Sequence, residues 1–188
     1  MKGRRILRSL GGMSEQDSLG HPDIFHLRAA IGWLELGNAT EAAAELERIA
    51  PELHAHPGVL LARLDITMHL KDWPTAESVA LRLTELRPDV PGAWIGLAYA
   101  RRRMPAGGVK SAYDALVPVG DEFPKEPTIP FNLACYACLL NELGVARAWL
   151  QKAFRCGEEK MIREMALNET DLEPLWPWIR ERPPSSQR

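Results

Sequence analysis

The sequence predicts an all-α protein, an α-α superhelix of paired helices, and three observations support this prediction. Small residues recur along the chain at intervals of 34 or 36 residues. Apolar residues between them recur every three or four positions, which is the period of an amphipathic helix. No stretch alternates between apolar and polar residues with hairpin turns at its ends, so a sheet-based enzyme fold is not expected. We therefore expect about four helix-turn-helix units followed by a C-terminal capping helix.

Two series of positions define the units. Members of each series lie 34 or 36 residues apart, and the first series precedes the second by 12 or 14 residues. The single two-residue insertion falls between Met104 and Gly108, where Pro and Gly indicate a loop. Because both series shift at the same insertion, they predict one register for all four units. The first series is Ala30, Leu64, Ala98 and Ala134, and the second is Ala42, Ala76, Ala112 and Ala146.

Residues that begin and end helices place the elements in order. In the first unit, Gly37 can take the left-handed conformation that ends a helix. In the second unit, Asp72 is predicted to cap a helix that carries Pro74 in its first turn. Pro118 is expected to shorten the sixth helix, because proline lacks the N–H that a helix interior needs. The runs 160–165 and 171–179 are predicted to form the C-terminal cover.

The third unit opens with Trp94, Leu97 and Ala98, and Pro88 and Pro124 close the second and third units. These residues stand at the spacing W-x2-L-G and at the terminal proline of a known repeat. The chain thereby resembles the tetratricopeptide repeat (TPR) family, whose 34-residue unit is a helix-turn-helix. The resemblance implies a solenoid in which each unit buries its apolar face against the next.

The resemblance also implies a domain organisation. A TPR-like domain is expected over residues 22–181, and the flanking segments 1–21 and 182–188 are expected to be flexible. Met13 is an alternative start, which would make residues 1–12 dispensable. The domain is divided into units 23–56, 57–90, 91–126 and 127–160 and a cap at 161–181.

In TPR proteins, the first helix of each unit lines a concave groove, and the resemblance implies that this groove binds a peptide or helical segment of a partner protein. The residues carried over to the groove are Leu27, Ile31, Glu35, Leu61, Asp65, Met68, His69, Ile95, Tyr99, Arg102, Arg103, Phe131, Cys135 and Cys138. The Lys, Asn and Arg clamp with which some TPR proteins bind a chaperone's terminal carboxylate is absent. We expect a non-catalytic interaction module, a scaffold or chaperone-like protein, whose partner segment could be acidic.

Three short motifs contain residue types that can carry chemistry. Cys135 and Cys138 form Cys-x-x-Cys, but no strand precedes them, so they are interpreted as packing residues of a helix. His54 and His56 lack further ligands, so no metal site is predicted. The run 101–103 is three arginines, which either stabilise a helix C-terminus or pair with an acidic partner. We predict no cofactor and no enzymatic activity.

Composition limits the partners and the location. The chain has 188 residues with 23 basic and 25 acidic side chains, and a net charge of −2 does not favour nucleic acid as a partner. No apolar run approaches the roughly 18 residues that a membrane span needs. Three cysteines, an odd number, favour a reducing compartment, so a cytoplasmic location is expected.

Two other functions remain open at this point. One is a chaperone of bacterial type III secretion, because small TPR chaperones of that system share the size and a helix start like Ile129-Pro130-Phe131. The other is a structural subunit that self-associates, as a homodimer or with its groove filled by the segment 4–8 of its own chain.

Overall fold

A computed structural model describes residues 19–181 of the chain, and every regular element in that range is helical. The prediction of an all-α fold is confirmed for these residues. The expectations for residues 1–18 and 182–188 lie outside the described range. The α-helices are α1 (Asp23–Glu35), α2 (Ala39–Leu46), α3 (Pro57–Leu70), α4 (Trp73–Leu86), α5 (Pro91–Arg103), α6 (Val109–Leu116), α7 (Thr128–Leu139), α8 (Leu143–Cys156), α9 (Glu159–Leu167) and α10 (Trp176–Glu181). Short 3-10 helices cover Pro51–Leu53, Val117–Val119 and Thr170–Leu175.

The described residues form two compact units that divide between Met104 and Pro105, inside the insertion loop. The N-terminal unit contains α1 to α5. There each helix packs against the next, and α3 also contacts α1 and α5. The C-terminal unit contains α6 to α10, again with each helix packed against the next. Sequential packing of neighbouring helices is thus the rule within both units.

The helix starts repeat at the intervals that the sequence predicts to within one residue. The helices α1, α3, α5 and α7 begin at residues 23, 57, 91 and 128, and α2, α4, α6 and α8 begin at residues 39, 73, 109 and 143. All eight residues of the two series are completely buried, with the first series on the odd-numbered helices and the second on the even-numbered ones. The predicted register is therefore the register of the structure.

Three of the four turns within these helix pairs have the same backbone conformation. Gly37, Lys71 and Asn141 are left-handed, with φ of 82°, 60° and 63°. In each case the following N–H donates to the carbonyl five residues back, at 2.9 Å, which is the Schellman closure of a helix. The third turn carries the insertion and instead has Gly108 at φ 103°. Gly37 was predicted at this position, whereas the other two left-handed residues were not.

Side chains cap the helices that follow these turns. The carboxylate of Asp72 accepts from the Thr75 N–H at 3.3 Å, as predicted. The Asn38 side chain accepts from the Glu41 N–H at 3.2 Å, and a cap at this position was not predicted. These bonds satisfy N–H groups that the first helical turn leaves without a partner.

Leu64 is the one large member of the first series, and a glycine compensates for it. A Cβ placed on Gly96 of α5 would lie 2.7 Å from Cδ2 of Leu64. The leucine of α3 therefore fits because α5 has no side chain at that point. The close approach keeps Leu64 fully buried.

The C-terminal cover lies at the predicted residues, but its secondary structure differs from the prediction. Leu172, Leu175 and Ile179 are completely buried, and the Trp176 indole N–H donates to the Ala166 carbonyl at 2.9 Å. The expectation of one helix over 171–179 is wrong. Pro174 lies in a 3-10 helix, and α10 begins only at Trp176, because proline cannot donate an i→i−4 bond.

Two further expectations can be compared with the structure. Pro118 lies in the 3-10 helix that follows Leu116, so α6 is shortened as predicted. Leu19, which was expected in the flexible N-terminal segment, is buried in the core of the N-terminal unit. Within the described residues, none of the helices combines the length and the apolarity that a membrane crossing requires.

Candidate functional site

The predicted groove residues divide into a buried group and an accessible group. Six of them are at most 6% exposed and belong to the core: Leu27, Leu61, Asp65, Phe131, Cys135 and Cys138. The other eight are half-buried or exposed: Ile31, Glu35, Met68, His69, Ile95, Tyr99, Arg102 and Arg103. All eight accessible residues lie in the last two turns of α1 or α3 or on α5. A partner can reach only this second group without opening the fold.

On α5, the accessible residues share one face of the helix. Ile95, Tyr99, Arg102 and Arg103 follow one another at intervals of four, three and one, so their side chains project to the same side. All four are half-buried. This face, together with Met68 and His69 of the neighbouring α3, is called the α3–α5 face below.

An arginine stacked on two aromatic rings forms the most ordered part of the α3–α5 face. The guanidinium carbon of Arg103 lies 3.4 Å from the centroid of the Tyr99 ring and 5.4 Å from that of Trp73. The two rings meet edge to face, with centroids 6.0 Å apart and an interplanar angle of 62°. A cation over an aromatic face is attracted by the ring quadrupole. The stack therefore holds the guanidinium in one plane.

Trp73 was not among the predicted site residues. It is the first residue of α4, directly after the capping Asp72, whereas the prediction took groove residues only from first helices. Its position at a helix start places the indole beside the C-terminal end of α5, where it meets Tyr99 and Arg103. The signal that could have found it is a large aromatic residue placed directly after the turn of a helix pair.

The three consecutive arginines have different surroundings. The Arg101 Nε donates to the Glu77 carboxylate of α4 at 2.8 Å, and both side chains are about three-quarters buried. Arg101 thus joins two helices of the N-terminal unit. Arg103 turns toward the aromatic rings, because successive residues on a helix differ by about 100° in direction. Arg101 thus forms an ion pair within the unit, and pairing of Arg102 and Arg103 with an acidic partner stays a prediction.

His69 lies at the exposed edge of the α3–α5 face. Its Nδ1–H donates to the Asp65 carbonyl one turn back, at 2.8 Å. This bond places the proton on Nδ1, so Nε2 of the neutral ring is the atom that can accept from a partner. A polar group at the rim of an apolar patch is typical of a protein interface.

In the C-terminal unit, the corresponding positions lie in the core. Every residue of α7 from Ile129 to Cys138 is buried, because the helix contacts α6, α8 and the 3-10 helix Thr170–Leu175. Burial raises the pKa of the Cys138 thiol, and the nearby Asp171 charge raises this pKa further. A raised pKa is the opposite of what a redox or nucleophilic thiolate needs. The interpretation of Cys135 and Cys138 as packing residues agrees with this burial.

The side chains that could bind a metal are dispersed. Between residues 19 and 181, no group of three or more His, Cys, Asp or Glu side chains is placed to hold an ion. His54 bonds to the Ile49 carbonyl at 2.9 Å, and His56 accepts from the Gly58 N–H at 3.1 Å at the start of α3. Both histidines of the predicted loop therefore have structural roles.

The comparisons with known proteins do not identify a family for this chain. The sequence matches none of the protein-family models and none of the curated proteins against which it was compared. The function must therefore be argued from the α3–α5 face itself.

Proposed function

We propose that the protein is a non-catalytic interaction module and that its α3–α5 face binds a segment of another protein. The observation that carries this proposal is the stack of Arg103 on Tyr99 and Trp73, with the half-buried Ile95 one turn earlier on α5. The half-buried Met68 lies on α3, which contacts α5. Aromatic residues, methionine and arginine are the residues enriched at protein interfaces, and they also supply most of the binding energy there.

The chemistry of the face favours a segment with both apolar and acidic side chains. The Arg103 guanidinium is stacked on the rings and donates from Nη1 to the Tyr99 carbonyl at 3.3 Å, and a guanidinium held in this way is suited to recognise a planar carboxylate. Met68 is flexible and polarizable, so it can adapt to an aliphatic or aromatic side chain of the partner. The six buried residues of the predicted groove are not part of the proposed contact.

A TPR-like solenoid is part of the same proposal. Helix pairs that begin at intervals of 34 to 37 residues, with completely buried small residues at matching positions, support it. A cytoplasmic location also belongs to the proposal, supported by three cysteines that are all free thiols.

The test compares capture by two variants of the full chain. In the first, Ile95, Tyr99 and Arg102 are all replaced by alanine. In the second, the exposed α4 residues Leu81 and Arg82 are replaced by alanine as a control. Proteins captured from native cell extract are identified by mass spectrometry, and the binding segment is then titrated as a synthetic peptide by fluorescence anisotropy.

We expect the triple variant to bind the peptide at least about 100-fold more weakly, because it loses anchors that each contribute 1 kcal/mol or more. The control should bind like the natural protein, and circular dichroism should show the same helical content in all three. Binding that survives in the triple variant would disprove the proposed face. A further variant, Arg103→Lys, keeps the charge but loses the planar stack, and it should weaken binding of acidic peptides more than of neutral ones.

A further inference from the structure

The first helix of the N-terminal unit exposes an apolar stripe on the side opposite its core contacts. Leu27, Ala30 and Leu34 of α1 are buried in the core of the unit. On the other side, Phe25 is 52% exposed, with its ring edge to face with that of His21, and Leu36, the residue directly after α1, is 78% exposed. Exposed apolar side chains that cluster on one face mark interaction sites, whereas single ones do not.

The residues in the middle of this stripe have small side chains. Ala29 and Gly32 lie between Phe25 and Leu36 on the same face, at the spacing of helical neighbours. A Cβ added to Gly32 would have no atom within 4 Å. The stripe is therefore large at both ends and small at its centre, a shape that allows another helix to cross closely.

We propose that this α1 stripe is the interface of a homodimer in which the α1 helices of two copies pack antiparallel. A two-fold axis between Ala29 and Gly32 places these small residues opposite each other. The same axis sets Phe25 of one copy against Leu36 of the second, so each large end meets a large end. A surface that is complementary to itself in this way is the requirement of a two-fold interface.

The charges beside the stripe fit the same operation. Arg28 and Glu35 lie seven residues apart, hence on one flank of α1, and both are exposed. In an antiparallel helix pair the equivalent flanks face each other, so Arg28 of each copy lies opposite Glu35 of the second. The symmetry forms this contact twice. In a parallel pair the equivalent flanks lie on opposite sides of the interface, so Arg28 and Glu35 of the two copies would not meet.

Sedimentation velocity of the full chain over a wide range of concentration tests the dimer, with Gly32→Glu as the disrupting variant. The substitution has room in the monomer and improves helix propensity, but it places two carboxylates at the centre of the interface. We expect it to weaken dimerisation about 100-fold or more. Gly144→Glu is the control, because this helical glycine also has open space around it. It should leave the dimer intact.

Charge exchange tests the antiparallel register. Arg28→Glu and Glu35→Arg should each weaken the dimer about tenfold, and the double variant should restore it. A natural protein that stays monomeric at all concentrations overturns the proposal and leaves the stripe to another occupant, such as residues 1–18 of the same chain. A dimer that persists in Gly32→Glu, or a double variant that is weaker than either single one, overturns it as well. This inference is independent of peptide binding by the α3–α5 face.

Discussion

The helices α5 and α7 occupy equivalent places in the repeat, yet their equivalent side chains lie in different surroundings. Ile95, Tyr99 and Arg102 of α5 are half-buried at the surface of the N-terminal unit. Phe131 and Cys135 of α7 are each 2% exposed. The helix α7 packs against α6, α8 and the 3-10 helix of the C-terminal cover, which together enclose it. The place of a residue in the repeat thus determines its direction from the helix, and the neighbouring elements determine whether a partner can reach it.

The largest expected difference between α5 and α7 is the loss in the free energy of unfolding when a side chain is truncated to alanine. Phe131→Ala should lower the free energy of unfolding by about 3–5 kcal/mol, because it leaves a cavity in a closed core. Tyr99→Ala on α5 should cost about 1 kcal/mol, because half-buried side chains contribute less. Urea denaturation followed by circular dichroism measures both. Equal losses would show that α5 is as deeply packed as α7.

Thiol reactivity is expected to show the next largest difference. Cys156 is partly exposed, whereas Cys135 and Cys138 are buried, and burial raises the pKa of Cys138. A raised pKa leaves less thiolate at a given pH, so Cys138 should need a higher pH than an ordinary thiol to react. We expect the α7 thiols to react about 100-fold more slowly than Cys156, since they require local opening.

A chromogenic disulfide reagent, applied between neutral and alkaline pH, measures these rates. Cys156→Ser should remove the fast phase and leave the slow ones unchanged. Three thiols that react together would contradict the closed face of α7.

The smallest expected difference is between the stabilities of alanine variants at two glycines. Gly96 lies in α5, and Gly120 directly follows the 3-10 helix Val117–Val119. A Cβ on Gly120 would lie 2.5 Å from the Trp149 ring, whereas on Gly96 it would meet the flexible end of Leu64. Gly120→Ala should therefore destabilise the protein by about 1–3 kcal/mol, because the ring and its neighbours must shift. Gly96→Ala should cost less, since Leu64 can change rotamer and alanine favours the helix.

Thermal unfolding of both variants decides this point, with Gly144→Ala as the control. That glycine has open space around it, so alanine there should stabilise α8 by up to about 1 kcal/mol. A cost at Gly96 equal to that at Gly120 would mean that Leu64 cannot move.

The repeat register was predictable because its signals are local. Ala residues at a constant spacing, Gly37 after a helix and Asp72 before one each specify an element from a few neighbouring residues. Lys71 and Asn141 were missed as left-handed residues because neither is a glycine. Their equivalence to Gly37 in the register was the available signal.

The accessible part of the candidate site was less predictable because it depends on tertiary contacts. The sequence placed Phe131, Cys135 and Cys138 on the same helical face as their counterparts in α5. It did not reveal that α6, α8 and the 3-10 helix Thr170–Leu175 all pack against α7 and leave these residues buried. Trp73 was missed for a similar reason, since its contact with Arg103 joins two helices.

The contact between Leu64 and Gly96 has a consequence for the evolution of the protein. A large side chain at residue 64 is tolerated because residue 96 has none, so a change at either position alters what is acceptable at the other. In orthologues that carry alanine at residue 64, selection on residue 96 should relax and larger amino acids should appear there. The two positions should thus covary, although 32 residues separate them in the chain.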